Sequence, residues 1–75
     1  MRILLGVSGG IAAYKSCDLV RRLREADHEV QVVLTAAATR FVSALTFEVL
    51  SGRAVATSLW DVPPDAPIEH IALAR

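Results

Sequence analysis

The sequence has little cysteine and no net charge, and each shortage excludes a class of protein. Its 75 residues include one cysteine, Cys17, so no internal disulfide can form, and a single thiol fits a reducing compartment. Eight basic and eight acidic residues give a formal net charge of +0, which indicates neither a nucleic acid nor an anionic membrane as a partner. No group of His, Cys, Asp and Glu has the spacing of metal ligands, so no metal site is predicted.

Long apolar runs are also missing from the chain. Ile3, Leu4 and Leu5 form a run that is too short for a signal-peptide core or a membrane span, and a glycine-rich stretch interrupts it. We therefore expect a cytoplasmic protein. In contrast, 53% of the residues are hydrophobic and the mean hydropathy is +0.44, which is high for a short soluble chain. This excess predicts surfaces that contact more polypeptide or another subunit.

Strand and helix patterns alternate along the chain. Short apolar runs predict strands over residues 2–7 and 29–34, and one apolar stripe predicts a helix over residues 10–26 between them. Thr35 has the position of an N-cap before a helical stretch that reaches Phe41, and a further helix over residues 45–51 ends at Gly52. The remaining predictions are a short strand, a proline-containing loop and the start of a helix, over residues 54–59, 61–67 and 68–75.

This order predicts one α/β domain over residues 1–75, with a flavodoxin-like (Rossmann-like) parallel sheet flanked by helices. Three strands make an incomplete sheet of this type, and both of its edges would be open. We therefore expect a further C-terminal part, a homo-oligomer, or both.

The most specific local pattern is a glycine loop between the first strand and the first helix. Ser8, Gly9, Gly10 and Ile11 stand where glycines let the backbone approach a ligand and where a helix N-terminus offers free N–H groups. The loop lacks the Gly-Lys-Ser/Thr ending of a P-loop, and the second strand ends in Thr35 rather than in the acidic residue of a dinucleotide site. Binding of a mononucleotide phosphate fits better. A tight turn without a ligand remains the alternative.

Histidines and aromatic residues are the other candidates. His70 follows the predicted third strand, so we expect it near the ligand end of the sheet, as a proton shuttle or as a surface histidine. Phe41 could pack in the interior or contact a flat cofactor ring. We expect His28 to be structural, and we expect packing roles for Cys17, Tyr14, Phe47 and Trp60.

Several of these segments, taken together, resemble the flavin-dependent cysteine decarboxylase family. The similar segments are GVSGGIAAYK (6–15), VLTAAATRFV (33–42), LTFE (45–48), LSG (50–52) and IEHI (68–71). The resemblance covers essentially the whole chain. One departure is Asp27, where many relatives have a glycine that ends the first helix. The family's later flavin loop and substrate clamp are not within these 75 residues, so the chain corresponds to the N-terminal part of the domain and independent activity is not expected.

The resemblance implies a function and a set of site residues. It implies binding of FMN and decarboxylation of 4′-phosphopantothenoyl-L-cysteine in coenzyme A biosynthesis, in trimer-based homo-oligomers, and the decarboxylase is often fused to a ligase. Ser8, Gly9, Gly10, Ile11 and Thr35 would contact the cofactor, with Phe41 near the flavin ring. His70 would be the catalytic histidine. The alternatives are a flavin prenyltransferase and a non-catalytic FMN-binding protein.

Overall fold

Strands and helices follow one another as the sequence predicts as far as residue 52. The computed structural model describes residues 1–9, 12–58, 62 and 68–74. Its elements are β1 (Arg2–Val7), α1 (Ala12–Glu25), β2 (Glu29–Leu34), a 3₁₀ helix (Ala38–Arg40), α2 (Ala44–Ser51) and β3 (His70–Ala74). The three strands are parallel and lie in the order β2-β1-β3. This order is that of the first three strands of a flavodoxin-like sheet, and the predicted fold class is confirmed.

One core joins the sheet to both helices. The buried cluster takes alternate residues from the strands, because side chains of a strand point to opposite faces in turn. Its members from the named elements are Leu5, Val7, Val30, Val32, Leu34, Ala13, Val20, Ala38 and Phe47. Cys17 and Leu23 pack against the cluster from α1, so the predicted apolar stripe of this helix is confirmed. Both helices therefore cover the same face of the sheet.

A residue with a left-handed backbone ends α1. Asp27 has a φ of 66°, and the N–H of His28 donates to the carbonyl of Leu23 at 3.0 Å. This bond satisfies a carbonyl that the end of the helix would leave unpaired. Aspartate is one of the few non-glycine residues that tolerate this conformation, so the turn into β2 forms without a glycine.

Short polar side chains and a glycine define α2. Ser43 is its N-cap and accepts a hydrogen bond from the N–H of Thr46 at 3.4 Å, and Gly52 ends the helix with a φ of 75°. The Arg24 guanidinium donates to the carbonyl of Ser51 and occupies the space that a Cβ at residue 52 would need. The positive φ is what requires glycine at residue 52, since the flexible arginine side chain could move aside.

The strand predicted over residues 54–59 is reduced to one parallel bridge. Ala56 pairs with Val33, accepting from the N–H of Leu34 at 2.9 Å and donating to the carbonyl of Val32 at 3.0 Å. The buried Gln31 donates to the carbonyl of Ala54 at 3.0 Å and holds the same segment beside β2. Residues 59–61 and 63–67, which include Trp60 and most of the predicted proline loop, lie outside the described residues.

The helix predicted over residues 68–75 is wrong, because β3 occupies residues 70–74. Without β3, the edge of β1 that faces away from β2 would leave a row of backbone N–H and C=O groups unpaired. Pairing of β3 with that edge runs from Ile3 opposite His70 to Val7 opposite Ala74. The local pattern did not contain this information, since the partner strand lies more than sixty residues earlier in the sequence.

Candidate functional site

The tips of β1 and β2 meet at the carboxyl edge of the sheet. The N–H of Thr35, the first residue after β2, donates to the carbonyl of Val7, the last residue of β1, at 3.0 Å. Ser8 follows Val7 directly, and both Ser8 and Thr35 are exposed. The two hydroxyl residues predicted to share a ligand therefore lie on neighbouring strand tips and face solvent.

Gly9 packs against the segment that follows β2. Its φ is 101°, and a Cβ at this position would lie 3.3 Å from the Cβ of Ala37 and 3.5 Å from the amide nitrogen of Ala38. The tight contact is thus with the Cβ of Ala37 in the same chain, and the positive φ is what favours glycine here. Gly9 on its own supports the tight-turn interpretation as well as the phosphate interpretation. Gly10 and Ile11 lie outside the described residues.

Thr35 organises the turn that leads into the 3₁₀ helix. Its hydroxyl oxygen accepts a hydrogen bond from the N–H of Ala38 at 3.2 Å, as an N-cap does, although the helix itself begins at Ala38. The hydroxyl of Thr39 donates to the carbonyl of Ala36 at 2.6 Å. Because Thr35 uses its oxygen as an acceptor in this turn, its O–H remains able to donate to a ligand.

The carboxyl edge carries positive charge without acidic residues. The sequence has no Asp or Glu in residues 1–17 or 35–47, and the first turn of α1 contains no acidic residue. The exposed cations here are Lys15 and Arg40, and within the described residues neither forms an ion pair. Together with the positive end of the α1 dipole, these charges favour an anion at this edge.

An aromatic pair stands beside the same edge. Tyr14, in the first turn of α1, is 58% exposed, and Phe41, just after the 3₁₀ helix, is 43% exposed. Their ring centroids are 6.4 Å apart and the rings are inclined at 83°, an edge-to-face contact. Tyr14, for which packing is predicted, packs against Phe41 at the surface, whereas Phe47 packs in the core and is fully buried.

His70 lies at the other edge of the sheet. It is exposed and is the first residue of β3, opposite Ile3 near the start of β1. Four residues of strand separate it from the level of Val7, which corresponds to about 13 Å at ~3.3 Å per residue. The predicted position near the ligand end is wrong, because that prediction placed the residue after the third strand rather than at its start. Its catalytic role stays a prediction.

Cys17 has the packing role predicted for it. The side chain is partly buried against the core and its Sγ lies 3.5 Å from the carbonyl oxygen of Ala13. Burial raises the pKa of the Cys17 thiol above its usual value, which keeps the thiol protonated. A reactive cysteine needs the opposite shift, so Cys17 is not an activated nucleophile.

A cavity of about 550 Å³ opens at the amino edge, away from the glycine loop, and its lining includes Arg2, Arg24, His28 and Gly52. Arg2 forms an ion pair with Glu29 at 2.6 Å, and Arg24 caps α2. His28 thus lies in a structural region, although its Nδ1 is buried without a hydrogen-bond partner among the described residues. These contacts account for two of the cations that line the cavity, so we place the candidate site at the carboxyl edge.

The described residues contain neither a cluster of metal ligands nor a helix that could span a membrane. No group of three or more His, Cys, Asp or Glu side chains within the described ranges could hold a metal ion. Among the helices that the structure describes, none combines the length and the apolar character needed to cross a membrane.

Comparison with known proteins identifies the family. The model of the Flavoprotein family matches residues 1–75. The chain belongs to the flavoprotein family. This flavoprotein chain is 55% identical over 74 residues to the coenzyme A biosynthesis bifunctional protein CoaBC of Vibrio vulnificus, and the match covers 99% of the chain and 18% of that protein.

Two further relatives extend the comparison. CoaBC of Haemophilus influenzae is 51% identical over 73 residues, covering 97% of this chain and 18% of that protein. CoaBC of Mycobacterium tuberculosis is 51% identical over 70 residues, covering 93% of this chain and 17% of that protein. The chain therefore spans less than a fifth of the length of these curated relatives.

A solved structure has the same fold. The FMN-dependent cysteine decarboxylase SpaF superposes with a TM-score of 0.70 at 26% sequence identity, over 88% of this chain and 39% of that one. The family resemblance predicted from the sequence motifs is confirmed by these matches.

Of the predicted site residues, the structure brings together Ser8, Gly9, Thr35 and Phe41, and it separates His70 from them. Tyr14 was not predicted as a site residue. The signal that could have identified it is its position directly after the glycine loop, in the first turn of the predicted helix. A residue in that turn lies at the carboxyl edge of the sheet.

Proposed function

We propose that this chain forms the FMN phosphate site, and one wall of the flavin ring site, in an enzyme that decarboxylates 4′-phosphopantothenoyl-L-cysteine to 4′-phosphopantetheine in coenzyme A biosynthesis. The names of the CoaBC relatives and of the solved decarboxylase support this activity. The observation that carries the proposal is the joined strand tip of Val7 and Thr35, with exposed hydroxyl residues and no acidic residue in the surrounding segments.

The donors at the carboxyl edge suit a phosphate dianion. The backbone at Ser8 and Gly9 and the hydroxyls of Ser8 and Thr35 offer hydrogen-bond donors, and the dipole of α1 adds partial positive charge. Lys15 and Arg40 add full charges nearby. The exposed ring of Phe41 gives a flat heteroaromatic ring an apolar surface to lie against. When bound, FMN supplies the electron acceptor that activates the cysteine carboxylate for loss as CO₂.

A homo-oligomer reconciles this site with a catalytic role for His70. A catalytic histidine must reach the bound substrate, but within one chain His70 lies about 13 Å along the sheet from the level of Val7, at ~3.3 Å per residue. We therefore propose that His70 acts at the site of a second copy in a trimer-based assembly. We also propose that the protein works in the cytoplasm, where coenzyme A intermediates and reduced thiols occur.

An exchange experiment tests the activity. Residues 1–75 replace the matching segment of Vibrio vulnificus CoaBC, and the exchanged protein is purified and assayed for bound FMN and for CO₂ release from 4′-phosphopantothenoyl-L-cysteine. We expect a yellow protein that releases CO₂. Absence of FMN from the exchanged protein, with the parent protein yellow, would overturn the proposal. Prenylated flavin as the product would favour the prenyltransferase alternative instead.

Mixed oligomers test the role of His70. In the exchanged protein, His70→Asn and Thr35→Val are prepared separately and then co-assembled. We expect His70→Asn to keep FMN but lose decarboxylation, and Thr35→Val to lose FMN affinity. Mixed oligomers should recover part of the activity, since one copy supplies the flavin site and the other the histidine. No recovery in oligomers shown to contain both variants would contradict a shared site.

A further inference from the structure

We infer that Tyr14 is a positioning residue of the ring site: its side chain holds Phe41 in place at the carboxyl edge. The inference rests on the proposed function, because it concerns how a flavin ring is received there. It adds a residue for which the sequence predicted only a packing role.

The backbone of Phe41 is anchored on the core, whereas its ring is partly exposed at the surface. The N–H of Phe41 donates to the carbonyl of Ala38 at 3.0 Å, and the flanking Ala38 and Val42 are buried in the core. The ring of Phe41, in contrast, is 43% exposed, and within the described residues its aromatic contact is with Tyr14. Removal of the Tyr14 ring would leave the Phe41 side chain free to change its χ1 rotamer.

Tyr14 is placed rigidly enough to orient its partner. The residue belongs to the first turn of α1, and the neighbouring Ala13 is fully buried, which anchors this turn on the sheet. The edge-to-face geometry of the pair directs the edge of one ring at the face of the other and so fixes their mutual inclination. The contact also joins the start of α1, which follows the glycine loop in the sequence, to the end of the 3₁₀ helix, whose first turn packs against Gly9.

The ring of Tyr14, rather than its hydroxyl, carries this role. Within the described residues, no hydrogen bond involves the Tyr14 hydroxyl. An edge-to-face aromatic pair contributes about 0.5–1.5 kcal/mol beyond its buried area, which corresponds to about 2- to 12-fold in a binding constant. We therefore expect phenylalanine to replace Tyr14 and smaller or non-aromatic side chains to fail.

Flavin titrations of the exchanged protein test the inference. FMN and riboflavin affinities are measured by quenching of flavin fluorescence for wild type, Tyr14→Phe, Tyr14→Ala and Tyr14→Leu. We expect Tyr14→Phe to bind within about 2-fold of wild type and Tyr14→Ala to bind both flavins about 2- to 12-fold more weakly. The ratio of the two affinities should not change, since the phosphate donors are intact. If the alanine variant does not fold, Tyr14→Leu takes its place with the same expectation.

A double-mutant cycle separates positioning from an independent contact. Once Phe41→Ala has removed the partner ring, adding Tyr14→Ala should weaken FMN binding no further, and the visible circular dichroism of bound flavin should match in the two proteins. Leu45→Ala, which removes an apolar side chain that is 67% exposed on α2, is the control and should bind like wild type. Additive effects of the two changes, or wild-type affinity in Tyr14→Ala, would overturn the inference while leaving the proposed function intact. Wild-type protein without FMN affinity would instead overturn both.

Discussion

Within the described ranges, three residues with positive φ mark the points where the backbone turns between elements. Gly9, Asp27 and Gly52 have φ values of 101°, 66° and 75°. They end β1, α1 and α2, respectively, and each permits a conformation that L side chains seldom adopt. Single substitutions at these positions therefore measure how much local backbone strain contributes to the free energy of unfolding.

Gly9→Ala should destabilise the chain by about 1–3 kcal/mol, the usual cost of forcing a side chain into such a conformation. The new Cβ would also press on the Cβ of Ala37 at 3.3 Å. The free energy of unfolding, from urea denaturation followed by circular dichroism, measures the effect. The double variant Gly9→Ala/Ala37→Gly should recover only the contact part of the loss. An unchanged midpoint for Gly9→Ala would contradict the assigned backbone strain.

Asp27→Gly should stabilise the chain by about 0.5–1 kcal/mol. Glycine removes a left-handed penalty of about 1–2 kcal/mol, and part of that gain is offset by its greater freedom in the unfolded state. Asp27→Ala is the matched control and should be less stable than wild type, because alanine keeps the penalty and cannot bond locally. Thermal unfolding of the three proteins decides the order, and alanine at or above glycine would refute the prediction.

At the scale of elements, the exposed face of α1 is held by ion pairs. The Asp18 carboxylate accepts from Arg21 at 2.6 Å and from Arg22 at 2.8 Å, and Glu25 accepts from Arg21 at 2.8 Å. These are (i, i+3) and (i, i+4) spacings, which support a helix without contacting the core. The hydrogen bond from Arg21 lowers the pKa of Asp18 below its ordinary value.

This lowered pKa predicts how pH affects α1. A carboxyl group with a lower pKa in the folded state stabilises the protein at a pH above its unfolded value of about 3.9, and the contribution disappears as the pH falls through the folded pKa. Asp18→Asn should therefore lower the melting temperature slightly at neutral pH, and wild type and variant should converge in acid. Added salt at 1 M should also reduce the difference, since the pairs are exposed. A difference that persists below the folded pKa would exclude the ion pairs as its cause.

The strand β3 shows where prediction from the local sequence pattern fails. The bounds of β1 and β2 follow from their apolar runs, and the left-handed ends of both helices follow from Asp27 and Gly52. The strand β3 did not follow from its own sequence, because the run around Ile71 suits a helix as well as a strand. The predicted position of His70 assumed that this residue follows the third strand in a helix. Since it begins the strand β3 instead, the predicted position was wrong for the same reason.

At the scale of the whole molecule, stability depends on a small core beneath two helices. Among the described residues, Phe47 is the largest fully buried side chain, and it packs from α2 against the sheet. A chain of 75 residues is expected to have a free energy of unfolding of roughly 4–11 kcal/mol, from about 0.05–0.15 kcal/mol per residue. One large cavity can therefore remove much of the total.

Phe47→Ala should lower the free energy of unfolding by about 3–5 kcal/mol, a large share of that total. Val49→Ala, on the same helix with its side chain 73% exposed, should change the free energy of unfolding by less than about 0.5 kcal/mol. Circular dichroism in urea compares the two variants. Similar losses for both would mean that helix propensity, and not core packing, sets the stability.

By itself, the sequence determined the family, the element order as far as residue 52 and the residues at the tip of the glycine loop. These features depend on neighbours within a few positions, namely apolar spacing, caps and glycine conformations. Only the tertiary structure decided that β3 pairs with β1, that His70 lies at the far edge from Ser8 and Thr35, and that Tyr14 meets Phe41. Each of these depends on contacts between segments more than twenty residues apart, and backbone groups left open at a strand edge overrode the local preference of the segment that closed it.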